Sequence, residues 1–241
     1  QTVVLNQHYH NPVVFAQPLS YNGVSPAVVR VEKIQSDRFD LFIAEPSDEN
    51  GLHAAQETAS YIVIEAGNYV LADGTRLEVG TVDTSATVGN HLLNSWELVR
   101  FDTTFATKFS STPVVLSQVQ THHGPDYLQT RHLSTSQSSV TLAMQQEEAA
   151  TAVLDTETVG YLAIETGAGQ WNGMAYEAKL IPYFLTHNWS NVQLANDFSG
   201  STISMLASLA SYIGGDSAHL RYQNLQNGDV EFKVEEDTTF D

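Results

Sequence analysis

The chain has 241 residues, 42% of them apolar, which is enough for packed cores and too much for a disordered tail. Its 28 acidic and 10 basic residues leave a formal charge of −18, a field that repels nucleic acid and anionic lipid and argues against both as partners. There is no cysteine, which removes disulfides, thiolate nucleophiles and cysteine zinc sites, and no apolar run approaches the roughly 18 residues of a membrane span.

The chain opens at Gln1, a start that fits a leader or upstream segment already removed. The first apolar pattern is Val3, Leu5, Tyr9. It returns as Val99, Phe101, Phe105 and again as Val192, Leu194, Phe198, with Trp96 and Trp189 three residues ahead of the second and third copies. A short apolar strand follows in each: Pro12-Val13-Val14-Phe15, Pro113-Val114-Val115-Leu116 and Ile203-Ser204-Met205-Leu206. Next come a glycine turn (Gly23, Gly124, Gly214-Gly215) and an arginine in a strand (Arg30, Arg131, Arg221). The arginine stands 18 residues after Pro12, Pro113 and Ile203 alike, a constancy that marks an internal repeat.

An alternating strand ending in acid comes after the arginine: residues 39–45, 140–148 and 230–236. Then Glu57-Thr-Ala-Ser-Tyr-Ile-Val-Ile-Glu65 and Glu157-Thr-Val-Gly-Tyr-Leu-Ala-Ile-Glu165 write one strand twice. A final strand follows at 75–79 and 174–178. Period-two alternation, Val, Ile, Thr and Tyr in short runs, and Gly, Asn, Asp and Ser between them predict antiparallel strands throughout. Only 51–59 has room for a turn of helix. The expectation is an all-β chain of tandem six-stranded antiparallel β-sandwiches over 1–82 and 96–182, joined by a polar linker at 83–95, with a partial third at 183–241 whose last two strands are missing. The short apolar junction at 179–186 predicts that the second and third units abut stiffly and that the first two are joined more loosely. The incomplete third unit reads as part of a longer array, or as an acceptor of a neighbour's strands.

The stretch from Phe109 through Pro113-Val-Val-Leu to Arg131, with the strand Val159 to Glu165, resembles the H-type lectin domain. The resemblance implies a six-stranded β-sandwich, binding of sugars, notably galactosamine types, and trimeric assembly. It places the sugar-contacting arginine at Arg131, with Arg30 and Arg221 as counterparts, and a histidine of the site at His53. The second copy has Ala149-Ala150-Thr151-Ala152 where that histidine would stand, so the sugar specificity does not transfer.

The residues themselves supply further candidates. A guanidinium can grip vicinal hydroxyls or an acidic sugar, or else pair across strands with Glu45, Glu148 or Glu236. His122, His123, Asp126 and Tyr127 share a loop at one end of the second unit, where binding groups gather. Trp171 lies between Gly169 and Gly173 as a flat platform for a sugar face, whereas Trp96 and Trp189 recur at one register and suit packing. Glu147, Glu148, Asp155 and Glu157 are the acidic group with the oxygen ligands that calcium takes, the alternative being plain solvated acid. No nucleophile elbow, zinc helix motif, phosphate loop or dinucleotide fingerprint is present. Asn188-Trp189-Ser190 is a glycosylation sequon. The sequence thus points to a secreted or cell-surface protein, not an enzyme, that binds glycan or polysaccharide. Two alternatives stand beside that: a filament or spacer assembling by strand donation into the third unit, and an accessory region of a polysaccharide-degrading enzyme.

Overall fold

The structure is a computed structural model and describes residues 1–49, 53–101, 109–152, 154–182, 185–195, 198, 202–226 and 228–240. It is all-β, with no helix among the described residues. Phe105 of the opening pattern and part of the 51–59 segment lie outside them.

Repeat 1 contributes β1 (Thr2–Val4), β2 (Pro12–Phe15), β3 (Leu19–Ser20), β4 (Val28–Glu32), β5 (Arg38–Ala44), β6 (Ile62–Glu65), β7 (Gly67–Val70) and β8 (Arg76–Thr84). Repeat 2 contributes β9 (Glu97–Arg100), β10 (Val114–Val119), β11 (Leu128–Ser136), β12 (Ser139–Gln146), β13 (Glu157–Ile164), β14 (Gly167–Trp171) and β15 (Met174–Ala178). Repeat 3 contributes β16 (Ser190–Gln193), β17 (Ala218–Gln226) and β18 (Asp229–Glu236).

Each repeat contributes the same three antiparallel strands in the same order, β1-β5-β4, β9-β12-β11 and β16-β18-β17, and β3 of repeat 1 joins the last of these sheets in parallel beside β17. The inward residues of the second copy, Val99, Leu128, Val140, Leu142 and Met144, pack on Val115 and Val119 of β10 and on Val159, Tyr161 and Ala163 of β13. Two sheets therefore face each other across an apolar layer, as alternating strands require. The Asn172-Gly173 turn explains the β14–β15 hairpin: both residues take positive φ, 51° and 82°, which suits a two-residue turn.

The repeats are not self-contained. β8 leaves repeat 1 and enters the sheet of repeat 2, in the order β10-β13-β8-β7, with Ile164 opposite Leu77 and Glu157 opposite Thr84. The expected linker at 83–95 thus begins inside a strand. Beyond it, Val88 N–H donates to Met144 O and Met144 N–H to Ala86 O, at 2.9 and 2.8 Å, so this segment runs beside β12 and buries Ala86 and Val88. The first two repeats are joined by shared sheet and shared core, not loosely. In repeat 3 the stretch 203–206, expected as a strand, forms no ladder with the described residues.

A second apolar cluster joins all three repeats. Val13 and Phe15, Leu116 and Leu162, and Leu206 belong to it. One interior therefore runs through the molecule.

Candidate functional site

The three arginines found in the sequence hold one structural position. Each reaches out of its own repeat and into the next. Arg30 Nη1 donates to Pro125 O and Asp126 O at 2.7 and 2.8 Å, and Nη2 to Thr121 O at 3.0 Å. Arg131 donates to Gln145 Oε1 at 2.5 Å within its repeat and, at 3.5 Å, to the Ser211, Asp216 and Ala218 carbonyls of repeat 3. Arg221 donates to Ser20 O at 2.8 Å, Ser25 O at 3.2 Å and Gly23 O at 3.3 Å in repeat 1, and pairs with Glu57 at 2.8 Å and Glu235 at 2.7 Å. Repeat 1 holds repeat 2, repeat 2 holds repeat 3, and repeat 3 holds repeat 1. The contacts close a cycle.

These arginines are 0, 5 and 0% exposed. A planar five-donor group suits this work, since turn carbonyls accept its fork from several directions. Burial lowers the Arg30 guanidinium below its ordinary value and pulls Arg131 down to about 10, yet both stay charged at neutral pH. A glycan has no route to them, which corrects the expectation that they contact sugar. Alternation along the strand misled here. His219 and Arg221 do lie opposite Leu220 and Tyr222, but that second face is covered by a neighbouring repeat and not by water. The cross-strand partner of Arg221 is Glu235, one residue before the expected Glu236.

Nine residues before each arginine stands Tyr21, His122 or Tyr212, on the turn that receives the arginine of another repeat. Tyr21 caps Arg221 and Tyr212 caps Arg131, each with the guanidinium carbon 5.0 Å from the ring centre. A second ring meets each cap edge-on from the neighbouring repeat: Trp189 on Tyr21 at 5.3 Å and 75°, Trp96 on Tyr212 at 5.1 Å and 77°. Lys233 Nζ lies 3.9 Å from the Tyr21 ring and 5.4 Å from Trp189. All four rings are half-buried, and Trp96 and Tyr212 pack against Ala86, Val88 and Ala143. The tyrosines escaped sequence reasoning. Their constant nine-residue offset from the arginines was the signal that could have found them.

The third seam is polar. His122 sits between Glu32 Oε2 and Asp126 Oδ1, both at 2.8 Å, with Phe42 5.3 Å away. His123 Nδ1 meets Thr156 O at 2.8 Å. Of the loop group, His122, His123 and Asp126 are thus exposed together, while Tyr127 is buried. Its hydroxyl meets His219 Nδ1 at 3.1 Å, and burial pushes it well above its usual range. The His53 side chain is enclosed too, held by Glu45 at 2.9 Å and Glu57 at 3.0 Å. Trp171 is half-buried against the shared apolar cluster.

Among the described residues no three His, Asp or Glu side chains converge as a metal site. Glu147 accepts from Ser47 N and Oγ, Glu148 accepts from Asn90, Asp155 is exposed apart from them, and Glu157 caps the turn at His123 and Gly124. The four acids expected to gather on calcium are spread over separate hydrogen-bonding tasks.

No protein-family model matches the chain, and no solved structure does. Its sequence is 26% identical over 248 residues to Halomucin of Haloquadratum walsbyi. The match covers 98% of this chain and spans 2% of the length of that much longer protein.

Proposed function

We propose that the chain is a non-catalytic adhesive module of an extracellular or cell-surface protein, and that it takes glycan on the aromatic seams between its repeats. The observation that carries this is the pair of equivalent seams, Tyr21–Trp189 and Tyr212–Trp96. Each offers flat apolar ring area, the chemistry that stacks on a sugar face, and Lys233 stands beside the first pair as a donor for hydroxyls. The polar groups of His122, His123 and Asp126 serve the third seam. Equivalent sites at fixed spacing gain avidity on a repetitive polymer. The likeness to Halomucin supports a place outside the cell, and the charge of −18 disfavours nucleic acid and anionic lipid as ligands.

The test is a polysaccharide and glycan panel with the native chain and the variant Trp96→Ala/Trp189→Ala, with circular dichroism to verify the fold. Binding falls at least tenfold in the folded variant, because sugar–ring stacking loses its platform while the buried arginines keep the repeats together. Undiminished binding in the folded variant sinks the seams as the site. Silence of the native chain across the panel sinks glycan binding and leaves a spacer.

A further inference from the structure

Among the asparagines of the chain, only Asn188 has a serine or threonine two residues on with no proline between, in Asn188-Trp189-Ser190. We propose that Asn188 is the attachment site of an N-linked oligosaccharide, which leaves the protein at the rim of the Tyr21–Trp189 seam. The inference stands on this triplet and its place in the fold, and is independent of glycan binding at the seams.

Placement is the first argument. Asn188 lies in the bend that leads into β16 and is exposed. Its backbone N–H donates to Thr186 Oγ1 at 3.2 Å. The fold engages other asparagine carboxamides in its own contacts: Asn22 donates to Gln56 O, Asn90 to Glu148, Asn224 to Glu231, and Asn94 accepts from the Gly89 N–H. Among the described residues nothing engages the Asn188 carboxamide or the Ser190 hydroxyl. The equivalent of Asn188 in repeat 2 is Ser95, and it is exposed as well. Exposure at this position is therefore a property of the repeat.

The chemistry is the second. An amide nitrogen shares its lone pair with the carbonyl and is a poor nucleophile. The transferring enzyme must therefore grip both the carboxamide and the hydroxyl two residues on, which calls for free polar groups on a surface bend. Asn188 and Ser190 offer both. Only the last residue of the triplet is in a ladder, Ser190 opposite Phe232, so the first two stand outside the sheet. The co-reactant is an oligosaccharide carried on a polyprenyl phosphate or diphosphate. Nδ2 attacks C1 of the first sugar, the N–C1 bond forms, and the bond from C1 to the phosphate oxygen breaks. The amide gives up one proton and the lipid phosphate leaves with the bonding pair. Nothing is oxidised or reduced.

The third argument is what the position does for the seams. Trp189, the middle residue of the triplet, meets Tyr21 edge-on at 5.3 Å. A sugar on Asn188 thus begins one residue from the seam of repeats 3 and 1. The seam of repeats 2 and 3 has Ser95-Trp96-Glu97 at the same register and carries no acceptor. Two seams built alike in their rings are thereby made unlike by one covalent chain.

The experiment takes the chain from the cells that make it, denatures it and cleaves it with trypsin. Residues 180–221 come away as one peptide, because no lysine or arginine lies between Lys179 and Arg221. Its mass is expected to exceed the sequence mass by a sum of sugar residues, and electron-transfer fragmentation places the increment on Asn188. Ser190→Ala, made in the same cells, returns the peptide to the mass of its sequence although Asn188 is intact. Ser190→Thr keeps the increment. The reading is taken on a denatured peptide, so a change in fold does not obscure it. A native peptide at the sequence mass, an increment on another residue, or an increment that survives Ser190→Ala overturns the proposal.

Discussion

His132 shows how a single residue sets a pH limit. It is buried in the β11 strand, its Nε2 meets Ser117 Oγ at 2.7 Å, and its Nδ1 has no partner. Burial, with help from the charge of Arg131, pushes its pKa down to about 4. The unfolded chain takes up this proton near the ordinary value of about 6.5, so stability is full above that pH and is lost as pH falls toward 4. The loss amounts to about 3 kcal/mol from this one group. His219, also lowered by burial, adds in the same direction. Glu235 acts further down. Burial opposes its ionisation, but His219, Arg221 and Lys233 outweigh burial and hold it at about 2, so its contribution is lost only between about 4.5 and 2. The equivalents of His132 are Val31 and Tyr222, so the position tolerates an apolar side chain. His132→Val is therefore expected to flatten the fall in urea midpoint between pH 6.5 and 4.5, and an unchanged slope would contradict the assignment. At this scale the sequence was legible in part. Spacing in the sequence singles out the three arginines. Their role was misread, because a residue on the far face of an alternating strand looks solvent-exposed until the neighbour covering it is known.

At the scale of elements, the doubled strand was legible nearly whole in its second copy, as β13, and in its first copy only over its second half, as β6, because apolar periodicity is a local signal. The path of β8 was not. Residues 81–84 carry Thr, Val, Asp and Thr, which reads as a polar start to a linker, yet they form a strand whose partner belongs to the next repeat. No local signal reports a partner 73 to 79 residues away. The same packing explains Gly160, which lies in β13 between β10 and β8 and packs against Val13 of β2. A Cβ there would stand 2.5 Å from Val13 Cγ1 and 2.9 Å from the Gln120 amide. Gln120 in turn bonds both Val14 N–H and Val14 O at 2.8 Å, so neither neighbour can retreat without loosening the junction of repeats 1 and 2. Gly160→Val is expected to cost about 1–3 kcal/mol by overpacking. Urea denaturation measures it, and a neutral substitution would show that the two strands do not approach so closely.

The whole molecule was the scale least legible in sequence. The triple repetition was plain, and a row of separate units was the natural reading, since nothing in a strand pattern says whether units stand apart or close on each other. The structure joins them by a continuous chain of buried polar contacts. Glu45 meets His53, His53 meets Glu57, Glu57 pairs with Arg221, Arg221 with Glu235, Glu235 with His219, and His219 with the Tyr127 hydroxyl, each at 2.7 to 3.1 Å. The path begins in repeat 1, crosses repeat 3 and ends in repeat 2. Shared sheet and shared apolar core connect the same three bodies. Independent units would unfold in steps, whereas units that bury one another's charges and strands lose stability together. The chain is therefore expected to unfold in one transition by calorimetry, with the calorimetric enthalpy matching the van't Hoff value. Arg221→Met sharpens the test. It strands Glu57 in the interior without its cation and leaves Glu235 to Lys233 and His219, a loss of about 3–5 kcal/mol, even though the contact joins only repeats 3 and 1. If the cycle is closed, the variant keeps a single transition at a lower midpoint, and repeat 2 falls with the rest. A variant that splits into two transitions, with repeats 1 and 2 melting at the native temperature, would break the cycle and return the molecule to a row of beads.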